Sequence, residues 1–274
     1  MQTKRSVLTI VSISLFFGAL SFPINGFSTI AYATTVEDEE EDDGLGDTGG
    51  GIQEAENDMQ LEESAGEIEY TTFFRAEDCN YTATGKNPYF ILEPNFQLAL
   101  VGQASGEAAQ LTITVLNETR QVNGTETRVV EERETIGDEL VEVSRNFFSL
   151  CQETNSIFYF GEEVDEYENG NIISHEGAWL AGEDGNKPGV IMPGTLLLGA
   201  RYYQEIAPDI ALDRAEIIGM HELIQTPSGD YSDTLITRET NPLEPDVAEL
   251  KYYAAGIGLI QEENLRLEHY GFIG

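Results

Sequence analysis

Positive charge is scarce in this chain. Lys and Arg number 14 against 50 Asp and Glu, a formal net charge of −36. A field of that sign repels nucleic-acid phosphates and anionic lipid headgroups, so neither is an expected partner. Histidine is scarce too. His175, His221 and His269 lie far apart, with no H-x-H or H-E-x-x-H spacing, so no zinc site is written into the sequence. No G-x-S-x-G and no G-x-x-x-x-G-K-[ST] occurs, and Gly256-Ile257-Gly258 is not followed by the third glycine of a dinucleotide fingerprint, so there is no motif for a nucleophile elbow or a phosphate cradle. An enzyme is therefore the less favoured reading.

Cysteine is limited to Cys79 and Cys151, outside any C-x-x-C pair. An even pair in an exported chain suggests one disulfide closing a loop of about 70 residues. Loop entropy puts its value at about 4 kcal/mol. Long apolar runs are absent after the first thirty residues, so no later segment would span a membrane.

What is present begins with an export signal. Lys4 and Arg5 precede the apolar run Val7–Leu20, and Ala31-Tyr32-Ala33 is an A-x-A cleavage site. The run is shorter than the ~20 residues of a membrane span. We read 1–33 as a signal peptide and the mature protein as secreted or extracytoplasmic, in a periplasm-like space or at a cell surface. Between Glu37 and Glu69 lie 15 acidic residues and no Lys or Arg. Self-repulsion and the lack of apolar residues mark 34–69 as a disordered acidic linker. From Tyr70 on, 35 acidic residues face 12 basic ones, so the remaining domain, 70–274, is acidic in its own right.

That domain reads as all-β. Gln110–Leu116 alternates apolar and polar. Asn123-Gly124 divides it from Thr127–Val130, a hairpin signal, and Gly137-Asp138 divides Val129–Ile136 from Leu140–Phe148. Further strands are expected at Ser156–Phe160, Ile172–Leu180, Leu196–Ile206, Ala215–Leu223, Tyr231–Glu239, Ala248–Ala254 and Leu265–Phe272. Asp209–Gly219 has room for one short helix. Short strands at regular spacing imply an antiparallel meander forming a barrel or half-barrel.

Several blocks carry a resemblance. Asn87-Pro88-Tyr89-Phe90, Gly177-Ala178-Trp179-Leu180-Ala181-Gly182, Pro188-Gly189-Val190-Ile191-Met192-Pro193 and Lys251-Tyr252-Tyr253-Ala254-Ala255-Gly256-Ile257-Gly258-Leu259 resemble, in collinear order, a family of uncharacterised secreted all-β proteins of bacteria and archaea. The closing tyrosine-rich block is also similar to the end of half-barrel periplasmic carriers of the LolA and LppX type. That second resemblance implies a curved sheet cupping an apolar ligand.

Candidate residues follow from composition. Trp179, Tyr202, Tyr203, Glu205 and Arg214 would line a ligand cavity, Arg214 being notable in a chain so poor in arginine. Asp165, Glu166 and Asp184 fall in oxygen-rich stretches that would suit calcium. A buried aromatic, a surface ion pair and a solvated acidic turn are the plainer readings of the same residues. Asn80, Asn117 and Asn123 each begin an N-x-T sequon and are candidate N-glycosylation sites. Three functions remain open. The first is a non-enzymatic exported binding protein for a small or apolar ligand. The second is an envelope structural module using divalent cations and other envelope components. The third is an extracellular hydrolase.

Overall fold

The computed structural model describes residues 69–274. The expected leader at 1–33 and all but the last residue of the expected linker at 34–69 lie outside the described residues. The described part is all-β. Among the described residues the helical content is one 3-10 turn, Ala76–Asp78, and no helix is long and apolar enough to cross a membrane.

Thirteen strands form one continuous antiparallel path. In chain order they are β1 (Phe96–Ala104), β2 (Glu107–Val122), β3 (Thr125–Ile136), β4 (Glu139–Cys151), β5 (Ser156–Glu168), β6 (Lys187–Met192), β7 (Arg201–Tyr203), β8 (Glu205–Ile206), β9 (Arg214–Met220), β10 (Thr234–Asn241), β11 (Glu244–Ala254), β12 (Gly258–Glu262) and β13 (Leu265–Phe272). Their order across the sheet is β7-β9-β10-β11-β12-β13-β1-β2-β3-β4-β5-β6-β8. The last strand thus pairs with the first, and the two ends of the path are the same piece of chain, parted only by Gln204. The sheet comes round into a nearly closed barrel, which leaves few unpaired edges.

Local chemistry explains the meander. Asn123-Gly124 and Asn169-Gly170 both take positive φ (47° and 79°, 51° and 75°), the type I′ pattern whose twist matches the strands it joins. Val122 pairs with Thr125 and Glu168 with Asn171 across these turns. The segment expected to hold a short helix is instead a turn followed by β9. Ala215 and Ile217 point inward and are fully buried, while Glu216 turns outward to Arg201 and Arg238. That is a period of two, which only a strand can satisfy. Leu196–Ile206, expected as one strand, yields only β7 and β8, with Leu197 and Leu198 exposed in the loop before them. Ile172–Leu180 splits into Asn171–Ser174 and Trp179–Leu180, both paired with β5.

β4 and the start of β5 are buried on both faces. Their outer face carries Phe147, Cys151, Phe158 and Phe160, and an N-terminal strap covers it. Tyr81 of the strap sits edge-on to Phe158 and Phe160, and Phe74 to Phe158. The Cys79–Cys151 disulfide ties the strap down across 72 residues, as the cysteine count led us to expect.

Candidate functional site

The barrel lumen is layered along its axis. Successive inward positions run Val130, Glu132, Glu134 on β3 and Phe148, Asn146, Ser144, Glu142 on β4. They run Leu235, Thr237, Glu239 on β10, and Tyr253, Lys251 on β11. β3, β4 and β10 therefore pass from hydrocarbon to acid in the same direction, and β11 passes to the lysine. Lateral pairing brings like levels together: Val130 opposite Asn146, Asn146 opposite Glu162, Thr237 opposite Lys251, Lys251 opposite Glu262.

The apolar level holds a cavity of about 60 Å³. Phe90, Phe96, Leu98, Phe148, Ile257 and Leu259 are among its lining residues, and Glu132 and Asn146 are the acid and amide that reach it. The hairpin formed by Gly85–Asn87 and Phe90–Leu92 supplies part of the wall. Phe90 packs edge-on to Phe148, and Phe148 stacks on Tyr159 at 4.8 Å between ring centroids.

The acidic level is unusual. Glu132, Glu134, Glu142, Glu162, Glu205, Asp213, Glu239 and Glu262 are all buried, and Lys251 is the buried lysine among them. It divides into two parts. In the first, Lys251 Nζ lies 3.1 Å from Glu239 and 3.6 Å from Glu262, and Glu239 also accepts from Gln204 Nε2 (3.0 Å) and Thr237 Oγ1 (3.1 Å). Burial would push the Lys251 ammonium down, but the Glu239 and Glu262 carboxylates outweigh it and hold its pKa well above the ordinary value.

The second part is Glu162, Glu205 and Asp213. None of their six carboxyl oxygens accepts a well-formed hydrogen bond. The Tyr159 hydroxyl stands near Glu162 but donates to Asn146 Oδ1 at 2.6 Å. Trp179 Nε1 approaches Glu205 without hydrogen-bond geometry. Glu205 and Asp213 face each other within reach of a single shared proton. Burial first, then neighbouring carboxylates, pushes Glu162 and Glu205 well above the carboxylate range. Burial raises Asp213 to about 6. Glu132 and Glu134 are raised in the same direction, again by burial and then by nearby acids.

The residues singled out from sequence are scattered over this frame. Trp179, Tyr202 and Glu205 are buried, Trp179 edge-on to Tyr159 at 5.3 Å. Gly161 makes room for the Trp179–Leu180 strand, because a Cβ there would come within 2.3 Å of the Trp179 carbonyl. Tyr203 and Arg214 turn the other way. Tyr203 packs edge-on to Tyr70, and the Arg214 guanidinium lies 4.4 Å from the Tyr70 ring centroid. Asp213 and Arg214, neighbours in sequence, thus occupy opposite faces.

Asp165 and Glu166 belong to the C-terminal part of β5 rather than to a loop. Asp165 is engaged by Arg145 at 3.5 Å and His175 at 3.0 Å. Asp184 is exposed in a turn with φ 48°. Among the described residues, the group of three metal-ligating side chains gathered within 4.8 Å is Cys79, Cys151 and Glu153, and both its sulfurs are spent in the disulfide. Asn80, Asn117 and Asn123 are all exposed.

Sequence reasoning missed Glu132, Glu134, Glu142, Glu162, Asp213, Glu239, Lys251 and Glu262 as lumen residues. The one signal was pairing: Glu134 opposes Glu142 and Glu239 opposes Glu249, like charges that an exposed ladder avoids. Reading it requires the register, which the sequence does not state. In comparisons with known proteins, the chain matches no family model, no curated protein and no solved structure.

Proposed function

We propose that this chain is an exported, non-enzymatic binding protein whose barrel receives the apolar part of a small amphiphile. One observation supports the reading above others: the apolar cavity ends on Glu132 and Asn146, at the border of the acidic level. A ligand lying there meets hydrocarbon along its body and a carboxyl and an amide at its head. An amine or hydroxyl head suits that pair, whereas a carboxylate head adds a further buried negative charge to a lumen already rich in acids. The cavity, about 60 Å³, is far below the ~300–1,000 Å³ of drug-sized sites. The ligand class is therefore a short alkyl or aryl group rather than a whole lipid. Export is supported by the N-terminal signal pattern and by the disulfide, a bond of oxidising compartments.

Calorimetric titration with short primary alkylamines, and with alcohols and carboxylic acids of equal length, tests this. Amines and alcohols are expected to bind and carboxylates not. Val130→Phe, which fills the cavity, abolishes binding while the thermal transition persists. Failure of every apolar probe to bind, or unchanged binding in Val130→Phe, overturns the reading.

A further inference from the structure

We propose that the hairpin from Gly85 to Leu92 is a hinged flap that gates the apolar cavity, opening to admit the ligand and closing over it. This role rests on the cavity being a ligand site. The flap lies across one end of the barrel, and the antiparallel meander fixes which end. The turn after β4, the end of β6, the start of β10 and the turn after β11 all lie there. So does the apolar level, since Val130 stands near the start of β3 and Phe148 near the end of β4. Tyr89, Phe90 and Ile91 of the hairpin line the cavity from that side.

Its attachments set the hairpin apart from the rest of the wall. Gly85–Asn87 and Phe90–Leu92 pair with each other and form a sheet of their own, whereas the other strands lining the cavity belong to the barrel path. The root is fixed. Tyr81 and Thr82 pair with Cys151 and Leu150 of β4, beside the Cys79–Cys151 disulfide. Arg128 of β3 donates to the Ala83 carbonyl (2.8 Å) and to Thr84 Oγ1 (2.7 Å). Beyond the root stands Gly85 with φ 149°, a backbone angle that residues with a Cβ rarely take. At the other end Asn95, with φ 68°, joins the hairpin to β1.

The tip is latched to the far side of the mouth. The Pro88 carbonyl accepts from Gly256 N (2.6 Å), and the Tyr89 hydroxyl donates to Asp233 Oδ1 (3.2 Å). Asn87 Nδ2 holds the near side, donating to the Asn155 and Pro193 carbonyls at 2.9 and 3.0 Å. Asp233 is exposed, so water takes the place of the tyrosine as the latch opens. A fixed root, two pivots and a latch of a few hydrogen bonds are the parts of a lid. Buried Ile91 and Leu92 favour the closed position. Opening breaks no strand ladder of the barrel, so it occurs at lower free energy than opening of the wall.

Native-state hydrogen exchange on the full chain tests the gate. Amides between Gly85 and Leu92 are expected to exchange together and faster than those of β3 and β4. Tyr89→Phe and Asp233→Ala remove the two halves of one latch bond. Each is expected to speed flap exchange about fivefold, and the double variant no further. n-Butylamine or n-butanol, whichever binds the tighter by calorimetry, is then added at about ten times its Kd. Flap exchange is expected to slow about tenfold, because closure over the ligand must be undone first. An opening that leaves the ligand in place is not slowed. Flap exchange only at the rate of β3 and β4 overturns the gate, as do latch variants that exchange like the parent. A probe that binds without slowing the flap overturns the gate alone and leaves the cavity as a ligand site. Failure of both probes to bind overturns the ligand site and the gate together.

Discussion

Around Val130 and Phe148 the barrel interior is closed by hydrocarbon, and a few residues further along the same strands it is closed by carboxyls. Both regions are buried, and both rest on the same ladders. The apolar level is stabilised by removing surface from water, a term indifferent to pH and to the charge of its neighbours. The acidic level has no such insurance. Its stability depends on what neutralises it: Lys251 in one part, protons in the other. A β-barrel backbone therefore tolerates an interior that its side chains alone do not stabilise, because closure satisfies the main-chain hydrogen bonds whatever the side chains do.

The comparison can be broken at either level. The largest effects come from removing what fills each one. Phe148→Ala in the apolar level is expected to cost about 3–5 kcal/mol, equally at pH 5 and pH 8, by denaturant unfolding. Lys251→Met is expected to cost a similar amount, about 3–5 kcal/mol at pH 8, because Glu239 and Glu262 are left buried and unpaired. Unlike the Phe148 loss, it shrinks toward pH 5 as Glu262, whose pKa burial already raises, takes up a proton.

A next effect, of a few kcal/mol, concerns pH itself. Asp213 is raised to about 6, and Glu249, also by burial first, to about 8. Folded-state values above the unfolded ones mean that the native protein holds more protons. The stability they contribute is fully present below about pH 4 and is lost as pH rises through about 6 and about 8. Glu216, despite partial burial, is lowered by hydrogen bonds from Arg201 and Arg238, and so acts in the opposite sense below its ordinary value. The melting temperature is accordingly expected to peak near pH 5 and to fall toward pH 8. A flat profile across that range would show the acidic level to be neutralised by something other than protons.

Smaller still, Glu205→Gln is expected to stabilise the protein at pH 8 by about 1–2 kcal/mol and to do little at pH 5. A core substitution that stabilises at one pH only would separate the two levels sharply. The smallest change lies outside the barrel. Glu216→Gln breaks its pairs with Arg201 and Arg238, both substantially solvated, for about 0–1 kcal/mol by chemical denaturation.

The legible part of this molecule was local. Leu265–Phe272 falls where its alternation places it, and Asn123-Gly124 forms the turn its backbone preferences dictate. Cys79 and Cys151 are bonded. Phe96–Ala104 showed no turn signal strong enough to mark it as the strand that receives the C-terminal strand and closes the barrel. The Leu196–Leu198 run looked like strand because apolar residues were taken to be buried, yet two of its leucines are exposed. The candidate site was less legible. Trp179 and Glu205 were singled out, but the carboxyls they stand among were read as solvated surface, the ordinary place for acid.

Composition and pattern by themselves determined an acidic all-β chain with a bonded cysteine pair and hairpins at Asn-Gly. Those features depend on single residues and on neighbours a few positions apart. Only the tertiary structure decided which side of each strand faces the lumen and which levels meet across it. The alternation Glu132, Glu134 on β3 is the same whether that face meets water or Glu262 and Lys251 on the opposite wall. A period of two says that faces differ and is silent on which is inside. The closure of β13 onto β1 settles that question, and with it turns what would have been a solvated acidic stripe into a buried one.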